Sequence, residues 1–283
     1  MKRFLALLAV LMLLAPCALA STALPDSGPA PYPPVADAFT EDGMGYDDGT
    51  LKIRIEQSVA YGTNITYVYV TLTDASQLRT ALAAKFPSKK LQPVDVMARQ
   101  NNAVLAINGD YFTYHKQGIV VRGGETLRFQ PREHRDTLII DDKGDFTILT
   151  KTTKAAYEAL DVTVREAFCF GPGLIVDGEP QSFRANQKVS CGANTKAQRL
   201  AICQLDTLQY LLVATEGPEQ DKKAGLSLPE FTELLMQTGA RQAYNLDGGS
   251  SVTVMLGDRR INAPGTKNRY VGDIIYFATL QQP

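Results

Sequence analysis

Apolar and polar residues alternate along Leu51-Lys52-Ile53-Arg54-Ile55-Glu56, and again along Ile65-Thr66-Tyr67-Val68-Tyr69-Val70-Thr71-Leu72. A period of two sends successive side chains to opposite faces, so these stretches predict an early antiparallel pair with one face toward solvent. Over Ser76 to Lys85 the apolar spacing becomes three to four, with Ser76 as a cap and Pro87 beyond the end, which predicts a helix. A second short helix is predicted over Val94 to Gln100. Ala103-Val104-Leu105-Ala106-Ile107 is a continuous apolar run between paired asparagines and Asn108-Gly109, the pattern of a strand buried on both faces.

Hairpin punctuation follows. Gly123-Gly124 separates Ile119–Arg122 from Thr126–Phe129, and Asp142-Lys143-Gly144-Asp145 separates Leu138–Ile140 from Phe146–Leu149. Ser227-Leu228-Pro229-Glu230 reads as a helix start and Gly239 as its stop. Ala243-Tyr244 then leads into Asn245-Leu246-Asp247-Gly248-Gly249-Ser250-Ser251, and Val252-Thr253-Val254-Met255-Leu256 leads out, which predicts a hairpin with a polar tip. Many strands and two to three helices give an α+β class with strand-rich mixed sheet(s) in a single domain.

Ahead of that domain, Lys2 and Arg3, the apolar run Phe4 to Leu14 and Ala18-Leu19-Ala20 read as a secretory signal over residues 1–20. Leu14-Ala15-Pro16-Cys17 as a lipoprotein box is the weaker reading, because Pro16 stands where a small residue is needed. Residues 21–47, with Pro25, Pro29, Pro31, Pro33 and Pro34, read as an extended tether, and the domain is expected over 48–283. The expected location is secreted or at the cell envelope, without stable membrane insertion.

At 283 residues and 45% hydrophobic content the chain can bury one substantial core. A formal net charge of −1 lacks the electrostatic footprint of a nucleic-acid binder. Beyond the signal only Cys169, Cys191 and Cys203 remain, enough for at most one disulfide; Cys169–Cys191 is the candidate pair, and Cys203 reads as a buried thiol. With two histidines, His115 and His134, a Ser-His-acid triad has little support. No cofactor is expected, and metal is left unassigned because the acidic glycine loops lack EF-hand spacing.

Three polar turns each end an apolar run with a carboxylate beside glycine: Asn108-Gly109-Asp110-Tyr111-Phe112, Thr215-Glu216-Gly217 and Asn245-Leu246-Asp247-Gly248-Gly249. Arg199 and Arg269 stand just ahead of two further apolar runs. Acids and arginines are thus expected to converge at one sheet edge. Taken alone, the Asp247 turn is equally an Asp-Gly hairpin tip without chemistry.

These elements, in this order, resemble the phosphodiester glycosidase family. The resemblance runs from about Leu51 to Leu280 through Asn108–Phe112, Phe170-Gly171-Pro172-Gly173-Leu174-Ile175 with Asp177-Gly178, Arg199-Leu200-Ala201-Ile202, Gly225-Leu226-Ser227-Leu228-Pro229-Glu230, Asn245–Ser251, Asn262 and Arg269. Two departures stand out: Glu216-Gly217-Pro218 replaces the family's Asp-Gly-Arg, and Ser250 replaces the loop's third glycine. The resemblance implies cleavage of a sugar-1-phosphodiester at its glycosidic C1–O bond, with a glycan or sugar-phosphate polymer as substrate. It implies Asp247 as base or nucleophile, with Asp110 and Glu216 as second choices for acid–base work. Arg199, Arg269 and the N–H groups of Gly248 and Gly249 would hold phosphate. Asn108, with Gly109 beside it, and Asn245 would meet sugar hydroxyls, and Ser250 and Ser251 would serve as turn and ligand hydroxyls. Two rivals remain open at this point, a non-catalytic carbohydrate-binding surface protein and a glycoside hydrolase acting on an unphosphorylated substrate.

Overall fold

The protein is described by a computed structural model covering residues 30–183, 192–265 and 269–282. Among these residues eighteen strands form three sheets and every strand pairing is antiparallel, which narrows the mixed sheets expected. The largest sheet has eight strands and is built outward from the hairpin Leu51–Ala60 with Thr63–Leu72; its central strands are Gln209–Thr215, Leu200–Asp206 and Gln242–Asn245. A five-stranded sheet places Leu105–Asn108 between Val254–Leu256 and Asp273–Phe277. Another sets Gly118–Arg122 beside Val164–Phe168.

One apolar core is shared by all three sheets, with Ile53, Val68, Ile107, Leu138, Phe168, Leu200, Tyr244, Val254 and Phe277 packed together. The far face of the eight-stranded sheet is covered by helix Leu228–Met236 through Phe231 and Leu235. Ser227 caps that helix by accepting from the Glu230 N–H while Glu230 bonds back to the Ser227 N–H, a reciprocal arrangement worth about 1 kcal/mol. Helix Val94–Gln100 covers the sheet that holds Leu105–Asn108.

Three expectations need correcting. The stretch Ser76 to Lys85 is not a helix: a 3-10 turn at Ala75–Gln77 leads into strand Leu78–Leu82, which pairs with Asp273–Phe277 and is buried along its whole length. A strand enclosed on both faces has no alternation to betray it, and the neighbouring strand's hydrogen-bonding edge outweighs local helix preference. Ala243-Tyr244 and Val252–Leu256 do not form a hairpin, since Gln242–Asn245 lies in the eight-stranded sheet and Val254–Leu256 in a five-stranded one. The folded part also begins before Asp48. Gly45–Asp47 pairs with the first long strand, and Tyr46 is buried in the core, its hydroxyl accepting from the Val35 N–H and donating to Asp48.

Cys169 and Cys203 are buried free thiols. Cys191, and the signal and early tether over residues 1–29, lie outside the described residues. Among the described residues no helix is long and apolar enough to cross a membrane.

Candidate active site

Asp247 sits on the connection between two sheets. The Asn245 N–H donates to Pro172 O and the Leu246 N–H to Leu200 O, so the backbone is held by the eight-stranded sheet up to the residue before the carboxylate. The chain then turns through Gly248 and the 3-10 segment Gly249–Ser251. Gly248 is needed for close approach: a Cβ there would stand 2.6 Å from the Gln198 carbonyl oxygen. Gly249 is needed for its φ of +60°, and its N–H donates to that same oxygen at 2.9 Å. The expected anion nest is therefore altered. The Gly249 N–H is engaged, whereas among the described residues no acceptor meets the N–H of Gly248 or of Ser250.

The second arm comes from strand Leu105–Asn108. Asn108 is fully buried; its Nδ2 donates to the Asp247 carbonyl at 2.8 Å and its Oδ1 accepts from the Thr253 N–H at 3.1 Å. Both ends of the amide pin the Asp247 loop, which corrects its expected role on sugar hydroxyls. Gly109 lies against Asp273, whose carboxyl atoms are 2.7–2.9 Å from where a Cβ would be. Asp110 is buried, accepting from the Tyr111 N–H through Oδ1 and from the Cys169 N–H through Oδ2, each at 2.7 Å. With both oxygens on backbone amides, Asp110 supports the turn and is not exposed for acid–base work.

Beneath these turns is a group that sequence reasoning missed. Arg122 is fully buried and donates from Nε at 3.0 Å and Nη2 at 2.6 Å to Asp273 Oδ2, and from Nη1 to the carbonyls of Val121 and Ala167. Glu166, also buried, accepts from the Thr80 hydroxyl and the Gly123 N–H. Arg122 and Asp273 each sit at the end of an apolar run, Ile119-Val120-Val121 and Ile274-Ile275-Tyr276-Phe277. A charge in phase with buried positions was the signal available.

Burial shapes the acidities. The Asp247 carboxyl is pushed up to about 6, first by burial; the Ser251 hydroxyl and the Arg269 charge pull it back, and Asp110 and Asp273 raise it further. Burial likewise lifts Asp273 to about 6 against the pull of Arg122, and Glu166 to about 7. A carboxyl raised toward 6 is suited to exchange a proton near neutral pH, as acid–base work requires, and is still ionised above that pH, as a nucleophile must be.

Arg269, whose charge acts on this carboxylate, is exposed, with Nη2 3.5 Å from the Tyr111 hydroxyl. Tyr111 is stacked on the exposed Tyr114 at 4.3 Å, with His115 and Phe170 edge-on to it, whereas Phe112 belongs to the core.

The other expected residues are placed differently. Arg199 is buried and its guanidinium donates to the carbonyls of Leu226 and Thr195, so it braces the chain rather than standing open to a phosphate. Glu216 accepts from Asn64 Nδ2 and lines a separate cavity of about 510 Å³ with Asn262. Asn245 is buried, its Nδ2 donating to Gly171 O while its Oδ1 has no partner. The Ser250 hydroxyl donates to Glu219 at 2.5 Å, and Ser251 is buried beside Asp247. The structure therefore brings Asp247, Asn108, Gly109, Asp110, Gly248, Gly249, Ser251 and Arg269 together and leaves Glu216 and Arg199 outside that group.

The sequence profile of the phosphodiester glycosidases matches residues 101–278, which takes in both turns, Arg122, Asp273 and Arg269. The chain belongs to the phosphodiester glycosidase family. Among solved structures, the chain is similar to the zebrafish N-acetylglucosamine-1-phosphodiester alpha-N-acetylglucosaminidase catalytic domain, auto-inhibited by its pro-peptide, with a TM-score of 0.65 at 16% identity over 88% of this chain and 87% of that one. It is also similar to a hypothetical protein from Synechocystis (TM-score 0.55, 17% identity, 81% and 62% covered) and a candidate exported protein of Burkholderia pseudomallei (0.55, 14%, 77% and 75%). At these identities the likeness is one of fold. No protein with a curated description matches the sequence significantly.

Proposed function

We propose that this member of the family is an exported hydrolase that cleaves the glycosidic C1–O bond of a sugar-1-phosphodiester in a surface polysaccharide or modified glycan. The observation that carries the reading is the meeting at one place of the Asp247 carboxyl, pushed up to about 6 by burial, and the exposed cation of Arg269, whose charge acts on it from the segment ahead of strand Asp273–Phe277. In ordinary glycoside hydrolysis a second carboxylic acid protonates the leaving alkoxide. A phosphomonoester has a second pKa of about 6, against about 15.7 for water, so it departs without that help. What such a reaction needs is positive charge and N–H groups on the phosphate, and Arg269 with the N–H groups of Gly248 and Ser250 supplies both. Asp247 then acts at C1 as base or nucleophile, with Ser251 holding its orientation. The Tyr111 and Tyr114 rings offer an apolar face to a sugar ring. Export rests on the signal pattern of residues 1–20, and a structurally similar protein is itself described as a candidate for export.

The test is incubation with a panel of sugar-1-phosphodiesters, assaying free sugar and phosphomonoester separately. Equal amounts of the two are expected. Release of an intact sugar-1-phosphate places scission on the other side of phosphorus and overturns C1–O cleavage.

A further inference from the structure

Arg122, Asp273, Asp110 and Glu166 form a buried set in which three carboxyl groups share one guanidinium. Arg122 Nη2 is 2.6 Å from Asp273 Oδ2 and 3.9 Å from Asp110 Oδ2, and the Arg122 guanidinium lies 4.0 Å over the Phe168 ring. Three buried carboxylates against one cation cannot all be ionised at little cost, since a buried charge without a partner is strongly disfavoured. The set is also tied to Asp247 by backbone. Asp273 Oδ1 accepts the Asp110 N–H at 2.9 Å, the Gly109 N–H donates to Asp273 O at 3.1 Å, the Asp247 N–H meets Gly109 O at 3.5 Å, and Asn108 holds the Asp247 carbonyl.

We propose that the Arg122–Asp273 pair is the positioning element of this site, holding the Gly109–Asp110 turn beneath Asp247 and setting the charge against which Asp247 works. This rests on the reading of Asp247 as the carboxylate that acts at C1. Arg122 reaches Asp273 from the neighbouring sheet and spends both Nη1 donors on Val121 O and Ala167 O, so the guanidinium has one orientation. Asp273 in turn accepts from Arg122 through one oxygen and from the Asp110 amide through the other, so its plane is fixed too. Neither residue reaches the surface, and neither is placed to touch substrate.

The charged and titratable groups around Asp247 are Arg269, Asp110 and Asp273; those around Asp273 are Arg122 and Asp110. Cys169 and Tyr244 approach Asp110, and Glu166 lies on the far side of Arg122 with Arg165 nearby. Asp110 and Asp273 both act on Asp247 as like charges, which favours its protonated form. Replacing Asp273 by asparagine keeps an oxygen for Arg122 and removes one like charge. The Asp247 titration then moves to lower pH, and so does the limb of the pH–rate profile that it controls, whichever protonation state the reaction uses.

The experiment compares wild type with Asp273→Asn, following the Asp247 carboxyl by NMR with ¹³C-labelled aspartate, its signal assigned with Asp247→Asn, and following kcat/KM against pH on a sugar-1-phosphodiester. The expected result is a downward shift of about half a pH unit or more in both, with KM little changed. An unshifted or raised Asp247 titration in the folded variant overturns the proposal, as does a loss of activity uniform across pH. If Asp273→Asn does not fold, the wild-type spectrum decides: Asp247 and Asp273 titrating as a coupled pair with two-step curves supports the proposal, and a simple one-proton curve for Asp247 overturns it. The NMR arm needs no turnover, so a protein that hydrolyses no diester but shows the shift would fail the functional reading and keep this one.

Discussion

Asn108 and Asp247, 139 residues apart, are joined by a hydrogen bond of 2.8 Å from the Asn108 side chain to the Asp247 carbonyl, which ties a strand end of one sheet to the loop leaving another. The carboxylate proposed to act at C1 is thereby held from both sides. Its environment makes several outcomes measurable.

Asp247→Asn keeps the shape of the side chain and removes its charge. Diester cleavage is expected to fall by about 10³-fold, within the range for losing an acid–base group, with a melting temperature close to that of wild type. Activity within tenfold of wild type would move the role to another carboxyl.

Arg269→Gln removes a cation that pulls the Asp247 carboxyl down. The kcat/KM on a phosphodiester is expected to drop about 10²-fold, while cleavage of a phosphate-free glycoside of the same sugar, if any, is spared. The limb of the pH profile governed by Asp247 should move up, opposite in sign to Asp273→Asn. Equal losses on both substrates would argue that phosphate is not what Arg269 meets.

Gly248→Ala and Gly249→Ala separate two reasons for glycine. The first drives a methyl to 2.6 Å from a backbone oxygen and should cost about 1–3 kcal/mol, as overpacking does. The second meets open space but must keep φ near +60°, a cost of about 1–2 kcal/mol. Denaturant melts measure both, and a neutral Gly248→Ala would contradict the close approach to Gln198.

Glu166, Asp273 and Asp247 all have folded-state acidities weaker than in the unfolded chain, burial being the first cause in each. Between the ordinary carboxylate range and about pH 6 to 7 the folded protein holds more protons. The stability these groups contribute is therefore present in full at the acid side of that window and declines as pH rises through it. Glu230 works in the opposite sense, its acidity strengthened by the Ser227 N–H, so its contribution is lost only below the ordinary carboxylate range. Unfolding free energy is expected to be greater at pH 5 than at pH 7.5, and Glu166→Gln should flatten that slope. A slope of the other sign would contradict the burial of these carboxyls.

The hairpin from Leu51 to Leu72 is legible in the sequence because one of its faces meets solvent and leaves a period of two. Leu78–Leu82 is not, because both of its faces are covered. The turns that carry Asp110 and Asp247 are legible as polar turns ending apolar runs, and the structure brings them together with Arg269. The pairing of Arg122 with Asp273 is not legible, since 151 residues separate them and only the packing of two sheets brings them together. Arg199 and Glu216 look like site residues in sequence, yet their side chains are taken by backbone carbonyls in the one case and by Asn64 in the other. Ser250 in place of a third glycine has a local account: its φ is not in the left-handed region, and its hydroxyl bonds Glu219 in the turn that follows Glu216.

Because the connection 246–253 begins in one sheet's ladder and ends in another's, its length is as constrained as its composition. Adding one residue would either push Asp247 out from above the Gly109 carbonyl or slip Val254–Leu256 by one place and turn its core side chains outward. Surface loops elsewhere in such a chain can lengthen freely; this one is expected to reject insertions and deletions alike, so a scan of single-residue indels would trace the site without reference to any substrate.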